Sequence, residues 1–200
     1  ISADGRWVVY VHSYERKDVL ALAALDGSTW PGVLAQGADF YMQPVWHPDS
    51  KQLAWVEWNH PNMPWDGTLL KLGRIEGEPP VITGLQTIDG GKEQPVFQPA
   101  FSPDGRWLSY IVQDGEWDSL VLYDLQTHQK RALLQNDNLI MPAWVQGIRS
   151  YGWTADSQAI YIVRSKEGFQ TLHRVEVESS KEAAIPLPEY TVRSEERRVG

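Results

Sequence analysis

Four copies of one turn-and-strand pattern constrain the fold of this chain more than any other feature of its sequence. Each copy joins a short Asp-containing turn to a run rich in β-branched and aromatic residues: SADGRWVVYV from Ser2, HPDSKQLAWV from His47, SPDGRWLSYI from Ser102 and TADSQAIYIV from Thr154. The aligned aspartates are Asp4, Asp49, Asp104 and Asp156, so successive copies are 45, 55 and 52 residues apart. Periods of this length are typical of β-propeller blades with loop insertions.

The turn in each copy has a physical basis. Proline at the second position presets φ, aspartate accepts hydrogen bonds from nearby backbone, and glycine takes up the positive φ that closes a tight hairpin. Copies two and four carry Ser50 and Ser157 in place of glycine, which weakens the prediction of the same turn there.

Further short strands flank each copy. A strand ending in an aromatic residue precedes three of the turns: QPVW from Gln43, QPAF from Gln98 and SYGW from Ser150. A third strand follows each copy, and a fourth is predicted at 32–35, 80–84, 131–134 and 184–187. This pattern predicts an all-β fold, a partial β-propeller of about three and a half four-stranded antiparallel blades. A parallel α/β fold is disfavoured because no segment of ten or more residues has a clear helical period. An immunoglobulin-like sandwich does not predict a turn repeated at this period.

Charge and composition argue against several classes of function. A formal net charge of −8 argues against a nucleic-acid partner, because phosphate binding needs clustered basic residues. The chain has no cysteine, which excludes disulfides, thiolate metal sites and a cysteine nucleophile. Its apolar runs are too short to span a membrane, so no membrane partner is expected. No signal peptide is visible, and we expect a cytoplasmic location, although a segment upstream of Ile1 could still carry one.

The repeat resembles that of TolB-type propellers, a unit also found in the N-terminal propeller of prolyl oligopeptidase-like serine peptidases. The shared pattern is x-P-x-[WF]-S-P-D-G-[KR]-x-[IL]-[AS]-[YW]. In the second copy, QPVWHPDSKQLAWVEWNHPNMPWDGTLL, from Gln43 to Leu70, is similar to the propeller of bacterial acylaminoacyl and dipeptidyl peptidase-like members. This stretch favours a peptidase over TolB, and the resemblance extends from Ser2 to about Val192.

The resemblance implies a larger parent protein in which a propeller precedes an α/β-hydrolase domain with a G-x-S-x-G motif and a Ser, Asp, His triad. The chain contains no G-x-S-x-G, so no catalytic residue is assigned and no cofactor is expected. A peptide substrate would bind through the missing C-terminal hydrolase domain.

We expect the chain to be a fragment. Its first blade lacks the strand before the turn, and Tyr190 to Val192 resembles the first strand of a fifth blade. The predicted propeller region is 1–192, with blades at about 1–36, 37–86, 95–135 and 147–188. The tail Arg193 to Gly200, RSEERRVG, departs from the repeat and resembles a translated sequencing adaptor, so it is left out of the functional interpretation.

The segment NHPNMPWDG, residues 59–67, is the strongest candidate site. In a propeller blade the loops between second and third strands and the connections between blades emerge on one face. The longer segments 59–66, 86–95 and 135–146 predict that this face carries the binding surface. Two prolines flank Asn62 and Met63 and restrict the loop. We therefore expect a preformed contact surface made by four residues: His60, Asn62, Trp65 and Asp66. The alternative is that Trp65 packs on its own blade and His60 caps a turn.

No metal site is predicted. The turn aspartates lack the dense pattern of a calcium loop. No metal-ligand spacing relates the five histidines, which are His12, His47, His60, His128 and His173. Dipeptidyl members of the family hold a substrate amine with paired glutamates. The only adjacent pair here is Glu195 and Glu196 in the tail, so aminopeptidase specificity is unsupported.

Two functions remain open at this point. One is the substrate-gating propeller of a prolyl oligopeptidase-like serine peptidase. The other is a non-enzymatic TolB-like scaffold that binds a protein partner through the face with the long loops. The fold alone does not decide between them, because propellers host many unrelated functions.

Overall fold

The computed structural model describes residues 1–15, 17–139, 146–166 and 169–187. Within these residues the chain forms fifteen β-strands and no helix, hence no helix that could cross a membrane. The predicted strand at 190–192 and the tail 193–200 lie outside the described residues. The strands are β1 (Trp7–Tyr14), β2 (Lys17–Ala24), β3 (Gly32–Ala35), β4 (Phe40–Trp46), β5 (Gln52–Trp58), β6 (Leu69–Glu76), β7 (Val81–Gly90), β8 (Val96–Phe101), β9 (Trp107–Asp114), β10 (Trp117–Asp124), β11 (Lys130–Asp137), β12 (Tyr151–Trp153), β13 (Ala159–Lys166), β14 (Phe169–Glu176) and β15 (Glu182–Ile185).

The strands form four antiparallel sheets that follow one another along the chain. Blade 1 contains β1, β2 and β3, and the other three blades contain four strands each: β4 to β7, β8 to β11 and β12 to β15. In every blade the strands are hydrogen-bonded in chain order. This confirms the predicted all-β partial propeller of about three and a half blades.

The hydrophobic core lies between neighbouring sheets. Leu20, Leu53 and Trp55 are buried where blades 1 and 2 face each other. Leu70 and Leu108 are fully buried between blades 2 and 3. A third cluster packs blade 3 on blade 4. Each fully buried leucine stabilises the fold by about 1.5–3 kcal/mol relative to an exposed one, so these contacts hold the blades together.

The repeated turn closes through its side chains as well as its backbone. In blade 3 the backbone N–H of Trp107 donates to Oγ of Ser102 (2.9 Å), and that hydroxyl donates to Asp104 Oδ1 (2.6 Å). Asp104 Oδ1 also accepts from the N–H of Arg106 (3.0 Å). Blade 1 repeats these bonds, and Thr154 and Asp156 make the corresponding bonds in blade 4.

The serines that replace glycine keep the turn conformation. Ser50 and Ser157 have φ of +62° and +60°, close to the +74° of Gly105. Their hydroxyls also reach the neighbouring blade: Ser50 Oγ accepts from the N–H of Asp4, and Ser157 Oγ from that of Asp104, both at 3.0 Å. The two turns that lack glycine therefore have the same conformation as the turns that contain it. A side chain in the left-handed region is strained, but it makes a bond that glycine cannot make.

Blades 2 and 3 are joined at the same end by a histidine. His47 Nε2 lies 2.9 Å from the carbonyl oxygen of Gly105, and its Nδ1 lies 2.6 Å from Asp49 Oδ1. With the two serine bonds, this contact links all four turns into one surface. We call it the turn face: residues 2–6, 47–51, 102–106 and 154–158.

The first strands of blades 2 to 4 are tied together by glutamines. Gln43 and Gln98 each occupy a bulge before a proline, with φ of +52° and +55°. Gln43 Oε1 accepts from the backbone N–H of Gln98 (2.6 Å), and Gln98 Oε1 accepts from that of Ser150 (2.7 Å). Both bonds are buried, so each glutamine fixes the spacing between its own blade and the next.

Two of the fourth strands are longer than predicted. The strand predicted at 131–134 is β11, Lys130–Asp137, and it extends into the predicted loop 135–146, of which residues 140–145 lie outside the described residues. The difference is larger in blade 2. The sequence placed the fourth strand of blade 2 at 80–84 and a loop at 86–95, whereas β7 continues to Gly90. It pairs along the whole of β6, with Glu76 opposite Val81 and Leu69 opposite Gly90, and accommodates irregularities in register on the way. Cross-strand pairing therefore outweighs the low β-propensity of the Gly- and Asp-containing segment.

Candidate functional site

The predicted site residues lie in the connection between β5 and β6, residues 59–68. This connection projects from the end of the blades opposite the turn face. It is accompanied there by the blade connections 36–39 and 91–95, and we call these three segments the loop face. In blade 3 the equivalent connection between β9 and β10 is the two-residue turn Gly115–Glu116. The long loop of blade 2 is thus an elaboration of the repeat.

The start of the loop is fixed to the connection between blades 1 and 2. The N–H of Asp39 donates to Asn59 Oδ1 (2.8 Å), and the N–H of His60 donates to Asp39 Oδ2 (2.9 Å). The Asn59 side chain thus binds the backbone at Asp39, and the Asp39 side chain binds the backbone next to Asn59, 20 residues further along the sequence. These bonds hold the exit from β5 in one position.

The middle of the loop is fixed by two of the predicted residues. Asn62 Nδ2 donates to the carbonyl oxygens of Lys92 (2.7 Å) and Gly67 (3.4 Å). Asp66 Oδ2 accepts from the N–H of Met63 (2.8 Å), and the N–H of Asp66 donates back to the Met63 carbonyl (3.0 Å). Asn62 and Asp66 therefore shape the loop through its own backbone.

The end of the loop packs tightly on the connection between blades 2 and 3. A Cβ at Gly67 would overlap the carbonyl oxygens of Gly91 and Lys92, so only glycine fits there. Next to it, the buried hydroxyl of Thr68 donates to the carbonyl of Val96 (2.9 Å) and accepts from its N–H (2.7 Å). The loop is consequently anchored at both ends and in the middle.

Aromatic and apolar side chains remain available on this fixed loop. Trp65 is 39% exposed and Met63 is 48% exposed, while Pro64 between them is buried. The ring of His60 meets Phe40 edge-on, with centroids 4.9 Å apart, and Phe40 stacks on Trp58 at 5.2 Å. A surface of this kind favours contacts with apolar and aromatic groups.

A cleft of about 850 Å³ opens between the loop and residues 91–93. Its walls include the carboxylates of Glu57, Asp66 and Glu93 and the ammonium of Lys92. Glu57 is held in place, since its Oε2 accepts from Trp55 Nε1 (2.8 Å) and its Oε1 lies 3.7 Å from Lys71 Nζ. The cleft thus combines aromatic rings with an excess of negative charge.

Within the described residues no group of three His, Asp or Glu side chains is arranged to hold a metal ion. The loop offers ring faces, a thioether and fixed polar groups. Such groups can bind and position a partner.

The structure brings all four predicted residues into one loop but gives them different roles. Asn62 and Asp66 organise the loop, and Trp65 is partly exposed at its tip. The backbone N–H of His60 donates to the Asp39 carboxylate, and the ring of His60 packs on Phe40. Whether any of the four contributes to function stays a prediction.

Two residues that position the loop were not predicted. Asp39 and the carbonyl of Lys92 hold it from connections that are 20 and 30 residues away in sequence. The available signal for Asp39 was its place just before a strand, where aspartate often caps nearby backbone N–H groups. A backbone carbonyl such as that of Lys92 leaves no signal in the sequence.

Comparison with known proteins places the chain among propeller-containing structures. No protein-family model matches the chain, and no curated protein does. A puromycin-hydrolysing peptidase of Mycobacterium tuberculosis is 25% identical with a TM-score of 0.81, over 94% of this chain and 30% of that one. Puromycin hydrolase is 28% identical with a TM-score of 0.79, over 92% of this chain and 29% of its own. The chain therefore spans about 30% of the length of the peptidases it matches.

A TolB structure from Agrobacterium tumefaciens shares the fold at lower identity. It is 18% identical with a TM-score of 0.65, over 94% of this chain and 61% of that one. The predicted resemblance to the propellers of TolB and of prolyl oligopeptidase-family peptidases is confirmed. The finer acylaminoacyl and dipeptidyl assignments are not distinguished by these neighbours.

Proposed function

We propose that this chain, a propeller segment similar to that of prolyl oligopeptidase-family peptidases, is the substrate-gating part of a serine peptidase that hydrolyses short peptides. The observation that carries the proposal is the likeness to two puromycin-hydrolysing enzymes at 25% and 28% identity, over more than nine tenths of this chain. In such a parent the chemistry would be acyl transfer through a serine, with histidine as base, in a separate hydrolase domain. The propeller would admit peptides and exclude folded proteins.

The loop face is the part of the chain that we propose to face the hydrolase domain and the incoming peptide. It carries the long loop 59–68, and the bonds of Asp39 and Asn62 fix that loop before any partner arrives. A surface fixed in advance loses little conformational entropy on binding. Its partly exposed Trp65 is the residue we expect to contribute most to such a contact.

The test is chemical labelling of the full-length parent. A fluorophosphonate probe should label one serine, and the protein should cleave short peptide anilides. A variant with alanine at the serine of the G-x-S-x-G motif serves as the matched control and should show neither reaction. If the folded full-length protein neither reacts with the probe nor cleaves anilides, the peptidase proposal is wrong.

A second candidate is a non-enzymatic scaffold that binds a protein partner through the same loop face. It is favoured by the likeness to TolB, of which the chain covers 61%, although at 18% identity that likeness concerns the fold. The parent gene distinguishes the two candidates. Further blades followed by a stop codon favour the scaffold, whereas a downstream domain with G-x-S-x-G favours the peptidase.

We also propose that the parent is cytoplasmic. A chain without cysteine has no disulfide that would need an oxidising compartment, so its composition is compatible with this location. Fractionation of cells that express the full-length gene tests this, and recovery in the periplasm or the medium would contradict it.

A further inference from the structure

A tryptophan ring, a guanidinium and a carboxylate occur together on the turn face. The guanidinium of Arg106 lies over the ring of Trp107, 4.6 Å from its centroid, and Arg106 Nε lies 3.2 Å from Asp124 Oδ2. In blade 1, Arg6 lies over Trp7 at 5.7 Å and also binds a glutamate. This chain therefore uses a tryptophan ring beside a carboxylate to hold a guanidinium.

The cleft beside the loop 59–68 offers the same two kinds of group. Its lining contains two tryptophans and three carboxylates: Trp58, Trp65, Glu57, Asp66 and Glu93. Among the described residues that line it, Lys92 is the only lysine and there is no arginine. The combination that the turn face fills with its own arginines thus lacks a guanidinium in the cleft.

The groups at the mouth of the cleft are accessible and fixed. Trp65, Asp66 and Glu93 are exposed. Glu57 is only 17% exposed and lies 3.7 Å from Lys71 Nζ, so its charge is already partly balanced. The excess of negative charge therefore comes from Asp66 and Glu93. Because the loop is bonded at both ends and in the middle, its ring and carboxylate are in position before a ligand arrives.

The neighbouring turn of blade 3 adds charge of the same sign. Asp114 and Glu116 are exposed there, and the sequence has no lysine or arginine from Gln113 to Asp118. Carboxylates on this side of the molecule attract a cationic ligand, an effect that salt screens over about 8 Å at physiological ionic strength. Charge around the cleft thus favours a positively charged occupant.

We propose that the cleft binds the guanidinium of an arginine side chain in a peptide, with its plane against Trp65 and its charge beside Asp66 and Glu93. A guanidinium fits this combination better than an ammonium group, because it can stack on a ring and bond to a carboxylate at the same time. The inference rests on the proposed function, in which such a peptide is the substrate, and it narrows the substrate class to peptides that contain arginine.

Equilibrium binding to the 200-residue chain tests this without any hydrolysis. The probe is the tripeptide acetyl-Gly-Arg-Gly-amide, whose two ends carry no charge. The matched control contains citrulline, which keeps the shape of arginine without its charge, and a second control contains lysine. Dissociation constants are measured by calorimetry at about 0.15 M salt, where long-range attraction is screened. The NMR signal of the Trp65 indole N–H reports whether the peptide binds at the cleft.

The arginine peptide should bind about tenfold more tightly than the citrulline peptide, and more tightly than the lysine peptide. Trp65→Ala and Glu93→Gln should each weaken its binding about three- to fivefold, the loss of one exposed cation–π contact or ion pair. Glu116→Gln removes the same charge from the neighbouring turn and should leave the dissociation constant unchanged. Since Glu93 is exposed, Glu93→Gln should keep the melting temperature even if Trp65→Ala lowers it.

Four results would overturn the proposal. Equal affinity for the arginine and citrulline peptides would show that charge is not recognised, and equal affinity for the lysine peptide would show that the guanidinium plane is not. Equal weakening by Glu93→Gln and Glu116→Gln would assign binding to general attraction outside the cleft. Equally tight binding of unacetylated Gly-Gly-Gly-amide would show that the cleft holds an amino terminus instead. Serine labelling of the parent tests the peptidase proposal separately, so a labelled parent whose cleft ignores arginine would contradict this inference alone.

Discussion

At the scale of single residues, the turn face shows how two serines substitute for glycine. Ser157 is 5% exposed, has φ of +60°, and binds the N–H of Asp104 in the neighbouring blade. Most side chains are strained at positive φ by about 1–2 kcal/mol. The partly buried bond across the blade boundary offsets part of that strain, since a hydrogen bond contributes about 0.5–1.5 kcal/mol.

Two substitutions at Ser157 separate the bond from the strain. Ser157→Gly loses the bond and also relieves the strain, so we expect its free energy of unfolding to stay within about 1 kcal/mol of the unchanged chain. Ser157→Ala loses the bond and keeps the strain, and should be about 1–2 kcal/mol less stable. Urea unfolding measures both. An alanine variant as stable as the glycine variant would show that the left-handed backbone is not retained.

Asp104 should make stability depend on pH in the acid range. Burial raises the pKa of its carboxyl group, but hydrogen bonds from Ser102, from the Arg106 backbone and from Ser157 outweigh burial and lower the pKa below 3.8. A group with a lowered pKa stabilises the fold fully above its unfolded pKa and loses that contribution as the pH falls through the folded value.

The measurement compares Asp104→Asn with the unchanged chain. The melting temperature of Asp104→Asn should lie below that of the unchanged chain at pH 7, and the difference should shrink toward pH 3. Asp114→Asn, at the exposed end of β9, is the control. A difference that is constant from pH 7 to pH 3 would contradict the assigned pKa shift.

At the scale of elements, the loop 59–68 is held by its fit to the neighbouring connection. Gly67 lies against the carbonyls of Gly91 and Lys92, and Thr68 pairs with Val96. Gly91, by contrast, has room for a side chain, since the nearest atom to an added Cβ is Gln94 Cβ at 3.8 Å. The two glycines therefore form a matched pair for testing how the loop is fixed.

Gly67→Ala should lower the free energy of unfolding by about 1–3 kcal/mol, the usual cost of inserting a methyl group into a packed site. Gly91→Ala should change the free energy of unfolding by less than about 0.5 kcal/mol, because the added methyl group has space around it. Denaturant unfolding of both variants provides the measurement. Equal effects would mean that the loop does not pack on residues 91–92 as described.

Local patterns in the sequence predicted the positions of the strands well, but they predicted poorly the hydrogen bonds between segments that are distant in sequence. The Pro-Asp-Gly turns and the β-rich runs after them are local signals, and the strands lie where these signals predict. The length of β7 was missed because it depends on pairing with β6, a contact across sequence. The anchors at Asp39 and Lys92 join segments 20 and 30 residues apart, and no local pattern reports such distances. Gln43 and Gln98 did leave a signal, since each precedes a proline at the same place in its copy.

At the scale of the whole molecule, the two ends of the blades differ in construction. The turn face consists of short turns bonded to one another, and the loop face carries the long loop and the cleft beside it. Each end has an exposed tryptophan. Trp65 lies on the loop face, and Trp30, 94% exposed, lies in the connection after β2 at the opposite end.

In the full-length parent, Trp65→Ala should lower kcat/KM for peptide substrates by about tenfold, the effect of losing a moderate aromatic contact of about 1–2 kcal/mol. Trp30→Ala removes an equally large ring from the other end and should leave kcat/KM unchanged. Steady-state kinetics and melting temperatures are measured for both. Unchanged kinetics together with a lower melting temperature for Trp65→Ala would assign the ring to packing on its own blade.

The contacts between turns alternate around the turn face. Ser50 bonds back to blade 1 and Ser157 back to blade 3, whereas blade 2 is joined to blade 3 by His47, whose position in blade 4 is taken by Thr154. The serine bonds therefore join the blades in pairs, one with glycine and one with serine in its turn, whereas the glutamine bonds join blades 2, 3 and 4 in series. A gene duplication or a designed exchange that moves such a pair keeps its internal serine bond intact, whereas moving one blade alone separates the two partners.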